Sequence, residues 1–216
     1  MTINSSFRSR FLNRDLLLGT FVKTPIPHTT EILGQSGLDF VVIDQEHGPF
    51  DRGTIDLALM GARAGGLAGL VRVADERQIL GALDDGADGV LVPHVSSPDF
   101  AQEVVRLCRY RNGIRGFSNT TRAGRYGGVG MWDHVNAQDA HIAVIAMIED
   151  IDALGKLDAI LATPGLDGVF IGRGDLTVAL GSASPASPET AEATARILAA
   201  SAKAGTPVCM MVSDAA

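Results

Sequence analysis

The chain has only two cysteines, Cys108 in a helix-like run and Cys209 in a strand-like run. Two lone thiols exclude a disulfide framework and fit a reducing compartment, with the cytoplasm as the expected location. No apolar run approaches the roughly 18 residues that a membrane span needs. Positive charge is in deficit: a formal net charge of −7 argues against a nucleic-acid footprint and against an anionic membrane surface. The opening stretch MTINSSFRSRFLNRD has three arginines before its first acid but no apolar h-region, so it does not read as a secretory signal. Residues 1–14 are expected to form a flexible leader. Nothing after the first strand-like run resembles a dinucleotide fingerprint, because LGTFVKTP has a single glycine. No linker or shift in composition divides the chain, so residues 1–216 are expected to be one domain.

What the chain does have is a repeated alternation. Short apolar or β-branched runs recur at LLLGTFV (16–22), FVVIDQE (40–46), LAGLVRV (67–73), GVLVPHV (89–95), IAVIAMIE (142–149), GVFIG (168–172) and PVCMMVS (207–213). Stretches with helical spacing separate them, such as TIDLALMGARAGG and ETAEATARILAASAKAG. Continuously apolar strands alternating with amphipathic helices indicate a parallel sheet covered on its faces. Seven strands can be counted in a chain of this length. The expected fold class is therefore α/β, a (β/α)8 TIM barrel with the last strand and helix missing and the domain C-terminally incomplete. One connection, YRNGIRGFSNTTRAGRYGGVGMWDHVNAQDAH, is longer than the others and rich in Gly and Arg. A loop of that length suits either anion contact near a site or a subunit interface.

In a parallel barrel, chemistry collects where strands end, because the following loops converge there. The second run ends in Asp44, Glu46 and His47, the third in Arg72, the fourth in His94 and the fifth in Glu149; the sixth leads through Gly-Arg-Gly to Asp175. The tripeptide Arg173-Gly174-Asp175 matches an adhesion signal, but inside a strand–helix turn it reads as a strand-end carboxylate. Glu149 and Asp175 end adjacent strands, and two hard oxygen donors suit Mg2+ or Mn2+, with Co2+ a further candidate. Zinc would recruit His or Cys instead. For each acid the alternative role is capping the following helix. Arg72 follows an apolar run, where a charge serves either an ion pair or a developing oxyanion. His47 is a candidate proton acceptor near neutral pH, or a turn-stabilising loop residue. A metal, an arginine and a base around one cavity suit deprotonation beside the carbonyl of a 2-oxo acid, in either direction of an aldol reaction.

These motifs, FVVIDQEHGPF, LVRV, ALDDGADGVLVPHV, IRGFSNTTRAGRYG, AMIE and DGVFIGRGDLTVALG, resemble in order and spacing the HpcH/HpaI family of metal-dependent (class II) pyruvate aldolases. That is the group containing 4-hydroxy-2-oxo-heptane-1,7-dioate aldolase. The resemblance implies a (β/α)8 barrel, a divalent metal on Glu149 and Asp175, His47 as proton acceptor and Arg72 as transition-state stabiliser. The implied partners are a 2-oxo acid and an aldehyde, and the implied assembly is a homo-oligomer, trimer or hexamer. It also implies an aspartate that raises the basicity of the histidine, matched by Asp84. That residue ends a helix just before strand four, far from the strand ends, so the expectation is that it serves a neighbouring subunit's histidine. Three departures bear on substrate binding. Met147 stands where Gln is common, Arg173-Gly174 replaces Pro-Ala before Asp175, and His94 occupies the end of strand four. Gly174 and Asp175, with Met147 and Arg173, are thus the expected substrate-side residues. The competing readings are a citramalyl- or malyl-CoA-type lyase of the related barrel group, and a non-catalytic scaffold or binding protein.

Overall fold

The computed structural model of the chain describes residues 6–212. Their strands are all parallel where paired: β1 (Gly19–Val22), β2 (Phe40–Asp44), β3 (Ala68–Arg72), β4 (Gly89–Val92), β5 (Ala143–Ile148), β6 (Gly168–Ile171) and β7 (Val208–Met210). Strand order is chain order, β1 to β7. The helices are α1 (Phe7–Leu12), α2 (Pro27–Leu33), α3 (Arg52–Ala64), α4 (Ile79–Asp84), α5 (Pro98–Cys108), α6 (Met131–His141), α7 (Ile151–Leu154), α8 (Leu157–Leu161), α9 (Arg173–Ala179) and α10 (Pro188–Ala204). All seven expected strands form within a seven-stranded parallel α/β sheet. Each is shorter than its apolar run. The residues left over at the C-terminal ends, among them Glu46, His94, Glu149 and Gly172, are the ones with chemistry. The seventh run extends to Ser213, outside the described residues.

The chain divides into two compact units. One takes in the chain up to Leu91 together with Arg106–Val144; the other takes in Val92–Val105 together with the chain from Ile145. The boundaries fall inside β4, α5 and β5, not at linkers.

In the first unit, β2 and β3 pair in register from Phe40↔Ala68 to Asp44↔Arg72, which sets these last two charged residues side by side. Val41, Val42, Ile43, Leu70 and Val71 are buried, each contributing on the order of 1.5–3 kcal/mol as a large apolar side chain leaves water. Helix α3 adds Ile55, Ala58, Leu59 and Ala62, the i, i+3, i+4, i+7 stripe of a one-faced helix. Asp51 starts it with a reciprocal capping box: its carboxylate accepts the Thr54 N–H at 2.8 Å and the Thr54 hydroxyl accepts the Asp51 N–H at 2.9 Å. Gly61 lets α3 lie against α2, because a Cβ there would strike the Pro27 carbonyl.

Of the segment expected to be a leader, residues 1–5 lie outside the described residues, while Phe7–Leu12 form α1. Ser6 caps it, and Phe7 and Phe11, one turn apart, are buried, with Phe7 edge-on to Phe40 of β2. Two aromatics among polar residues make an apolar stripe that composition alone conceals. The long connection is likewise half helical: it contains a 3-10 turn at Arg125–Gly127 and then α6. Its Arg122 grips Asp56 of α3 through two hydrogen bonds of 2.8 Å.

In the second unit, β5, β6 and β7 pair in that order, and α10 begins at Pro188 and ends at Gly205 in the left-handed conformation (φ +75°). Among the described residues neither cysteine is in a disulfide; burial pushes the Cys209 thiol up to about 12. Among the described residues, no helix is long and apolar enough to cross a membrane.

Candidate active site

The first unit places Asp44, Glu46, His47 and Arg72 at the ends of β2 and β3. Asp44 is fully buried and takes a two-pronged grip from Arg72, Nε to Oδ1 at 2.9 Å and Nη2 to Oδ2 at 2.8 Å. Arg72 Nη1 lies 3.0 Å from Glu46 Oε2, and the Phe21 ring supports the guanidinium at 5.0 Å. The arginine is therefore ion-paired and held rigidly at a strand end. Burial alone would push the Asp44 carboxyl up. Hydrogen bonds from Arg72 and the His47 N–H, with the charges of Arg72 and Lys23, override this and hold it below the usual range.

His47 follows directly on this cluster. Its N–H donates to Asp44 Oδ1 at 3.2 Å, which fixes the turn, and its imidazole is exposed with Nε2 3.8 Å from Glu46 Oε2. The histidine thus fixes the turn through its amide and leaves its imidazole accessible. Asp84 lies elsewhere in the unit, buried at the end of α4 with Arg115 at 3.6 Å. Asp84 and His47 share no hydrogen bond or ion pair among the described residues.

The second unit sets Gly172 against Glu149 and carries Asp175 three residues further on. Glu149 follows β5 and is 2% exposed. Its Oε1 accepts the His94 N–H at 2.8 Å. His94 achieves this by leaving β4 in the left-handed region (φ +55°), a conformation that costs a non-glycine residue about 1–2 kcal/mol. That strain turns the amide toward the carboxylate. The imidazole stays exposed, with Nδ1 3.3 Å from both Asp150 oxygens and 3.7 Å from Glu149 Oε1. On the neighbouring strand, Gly172 bonds back to the Ile148 carbonyl at 3.1 Å and lies against Glu149: a Cβ at position 172 would fall on Glu149 Oε2 and 2.6 Å from its Cβ. Three residues on, Asp175 stands exposed in the first turn of α9, with no side-chain partner among the described residues. Oxygen donors on adjacent strand ends, with backbone drawn against one of them by a required glycine, fit a hard divalent cation such as Mg2+ or Mn2+. Among the described residues no group of three or more His, Cys, Asp and Glu side chains gathers. Gly172→Ala is expected to lower activity about 100-fold and to cost roughly 1–3 kcal/mol through overpacking. Steady-state rates and urea midpoints check it; a variant within threefold of wild type would show that the close approach is dispensable.

The remaining substrate-side candidates also lie in this unit. Met147 is buried within β5. Gly174 is open, with nothing near the position of an added Cβ. Arg173 is committed in part: its Nη2 donates to the Met211 carbonyl at 2.6 Å, tying the start of α9 to the residue after β7. The residues that sequence reasoning passed over are Asp150, the partner of His94, and Arg115, the partner of Asp84. Asp150 sits next to a recognised acid and could have been flagged from that. Arg115 is one of several arginines in the long connection and carries no distinguishing signal.

A family model described as HpcH/HpaI aldolase/citrate lyase matches residues 17–216. A protein named 5-keto-4-deoxy-D-glucarate aldolase, from Klebsiella pneumoniae subsp. pneumoniae, is 34% identical over 207 residues, covering 94% of this chain and 80% of that protein. A solved HpcH/HpaI aldolase/citrate lyase family protein from Burkholderia cenocepacia J2315 superposes with a TM-score of 0.90 at 31% identity, covering 96% of this chain and 84% of that one. The solved citrate synthase SbnG superposes with a TM-score of 0.88 at 30% identity, covering 97% and 83% respectively.

Proposed function

This chain belongs to the HpcH/HpaI aldolase/citrate lyase family, and on that footing we propose that it is a class II pyruvate aldolase. In this reading it cleaves 4-hydroxy-2-oxo acids reversibly to pyruvate and an aldehyde. The observation that carries the reading is the buried Glu149 carboxylate, oriented by the His94 amide and pressed by Gly172, three residues before Asp175. We read the seven strands as seven of the eight in a (β/α)8 barrel, with the site at their C-terminal ends. A Mg2+, Mn2+ or Co2+ ion held by Glu149 and Asp175 would supply Lewis acidity to the carboxylate and keto oxygens of the 2-oxo acid.

The chain's own residues do the rest. His47, exposed and anchored through its backbone, accepts the proton of the C4 hydroxyl as the C3–C4 bond breaks. The bond's electrons pass to C3 and the aldehyde leaves; a proton then returns to C3 and completes the methyl group of pyruvate. Arg72, held rigid by Asp44 and Glu46, offsets the negative charge that develops on substrate oxygen. Asp84 raises the basicity of a histidine; that it shares no hydrogen bond or ion pair with its own His47 among the described residues supports a neighbouring copy's histidine in a homo-oligomer, trimer or hexamer. Gly174, Arg173 and Met147 flank the substrate side. Two cysteines outside any disulfide among the described residues support a cytoplasmic setting. Relatives named 5-keto-4-deoxy-D-glucarate aldolase make dicarboxylic 2-oxo acids the first substrates to screen.

The test is exchange of pyruvate methyl protons for deuterium, followed by NMR with Mg2+ or Mn2+ present. Exchange is expected in the wild type and a loss of at least about 100-fold in His47→Ala, the scale of a missing general base. No exchange in the full-length protein would overturn the aldolase reading. Calorimetry with oxalate, a mimic of the pyruvate enolate, separates this from a scaffold role, which would bind neither metal nor oxalate.

A further inference from the structure

The two buried aspartates of the first unit are held in opposite ways. Both oxygens of Asp44 are captured by Arg72 at 2.8–2.9 Å. Asp84 also faces a buried arginine, but at 3.6 Å, and its Oδ1 makes no hydrogen bond. That arginine, Arg115, has a side chain with no exposure at all. Its own fixings are elsewhere: Nη1 donates to Gln138 Oε1 of α6 at 3.3 Å, and the guanidinium lies over the Tyr110 ring at 4.4 Å. The Tyr110 hydroxyl is in turn 3.0 Å from His134 Nε2, and Phe117 stands edge-on to both rings. Arg115 Nε and Nη2 make no hydrogen bond.

A guanidinium without a carboxylate nearby is not tolerated at such depth, and a buried carboxylate without a cation takes up a proton. Each group therefore maintains the charge of the other. Because the separation exceeds a hydrogen bond, this happens without occupying Asp84 Oδ1. An acid meant to act on an imidazole N–H needs both properties: a standing negative charge and an oxygen still able to accept.

We propose that Arg115 is a positioning residue that keeps Asp84 ionised while leaving its carboxylate able to accept from the histidine it serves. The proposal rests on the reading of Asp84 as the acid that raises that histidine's basicity. The other charged or titratable groups facing Asp84 are Arg52 of α3, the Asp85 that Arg52 engages, Tyr110, and His134 of α6. Burial lowers the pKa of His134, and the Arg115 charge adds to this, so the imidazole is a poorer counter-charge than the guanidinium. Burial pushes the Asp84 carboxyl up, opposed chiefly by Arg115.

The experiment compares Arg115→Gln, Arg115→Lys, Asp84→Asn and Arg115→Gln/Asp84→Asn in the full-length protein. Retro-aldol kcat/KM across pH is one readout, and titration of the Asp84 carboxyl by carbon NMR is the other. Arg115→Gln is expected to lower kcat about 10- to 100-fold, the range for an orienting partner, with KM changed much less. The plateau falls and the acid limb moves to lower pH, because a neutral Asp84 leaves the histidine less basic. Arg115→Lys restores most of the rate, and in the Asp84→Asn background the loss of Arg115 costs under about twofold. In Arg115→Gln the Asp84 carboxyl titrates higher. Losses that multiply in the double variant, or an unchanged pH profile, would overturn the proposal. An inactive wild type would sink the aldolase reading instead. The carboxyl titration still decides Arg115 in that case, and an unchanged Asp84 titration refutes its role.

Discussion

Replacing Arg72 by methionine is expected to cost about 3–5 kcal/mol of folding stability, the range for breaking a buried ion pair from one side. Asp44 has no exposure, and two hydrogen bonds from Arg72, at 2.9 and 2.8 Å, hold both of its oxygens. Without them its charge keeps only Lys23 at 3.4 Å and the His47 amide. The cost shows as a lower urea midpoint with an unchanged slope. Arg72→Met/Asp44→Asn should be more stable than Arg72→Met, since the stranded charge is gone. The pH dependence follows from the sign of the Asp44 shift. Its folded value lies below the unfolded one, so the stabilisation is complete above the ordinary aspartate range, near pH 4, and is lost as pH falls through the folded value. The stability gap between wild type and Arg72→Met therefore narrows on acidification below about pH 4. A variant within 1 kcal/mol of wild type at pH 7 would contradict this account of the pair.

Glu149→Gln is expected to separate activity from folding. The amide is isosteric and keeps an oxygen for the His94 N–H, so stability should stay within about 1 kcal/mol of wild type. Catalysis should fall by about 10³-fold or more, as expected when preorganised electrostatic stabilisation of the reacting centre is removed. Calorimetric Mn2+ affinity gives a readout independent of turnover and should fall in parallel. Activity within tenfold of wild type, with unchanged Mn2+ binding, would remove Glu149 from the metal pair.

The strands and their ends were legible in the sequence for a physical reason. A strand covered on both faces must be continuously apolar, so the first polar residue after each run marks a strand end. That rule leads directly to Asp44, Arg72, Glu149 and the Gly172–Asp175 turn. It fails where burial comes from a few scattered residues. Helix α1 rests on Phe7 and Phe11 alone, and α6 inside the long connection buries only His134 and Val135. Arg115 escaped for a related reason. What distinguishes it from Arg111 or Arg122 is depth and the group it faces, and neither leaves a mark on the order of residues.

The boundaries inside β4 and β5 have a consequence for how the chain is made. Neither compact unit is a continuous stretch: the first resumes at Arg106 and closes only at Val144, while the second begins with the excursion Val92–Val105 and waits for Ile145 onward. A chain emerging from the ribosome thus cannot finish its first unit until Val144 has been synthesised, and by then it already carries a piece of the second. Sequence-distant contacts of this kind slow folding and expose unfinished strand edges. Cutting the protein at either boundary severs a strand, which makes the two units inseparable by truncation.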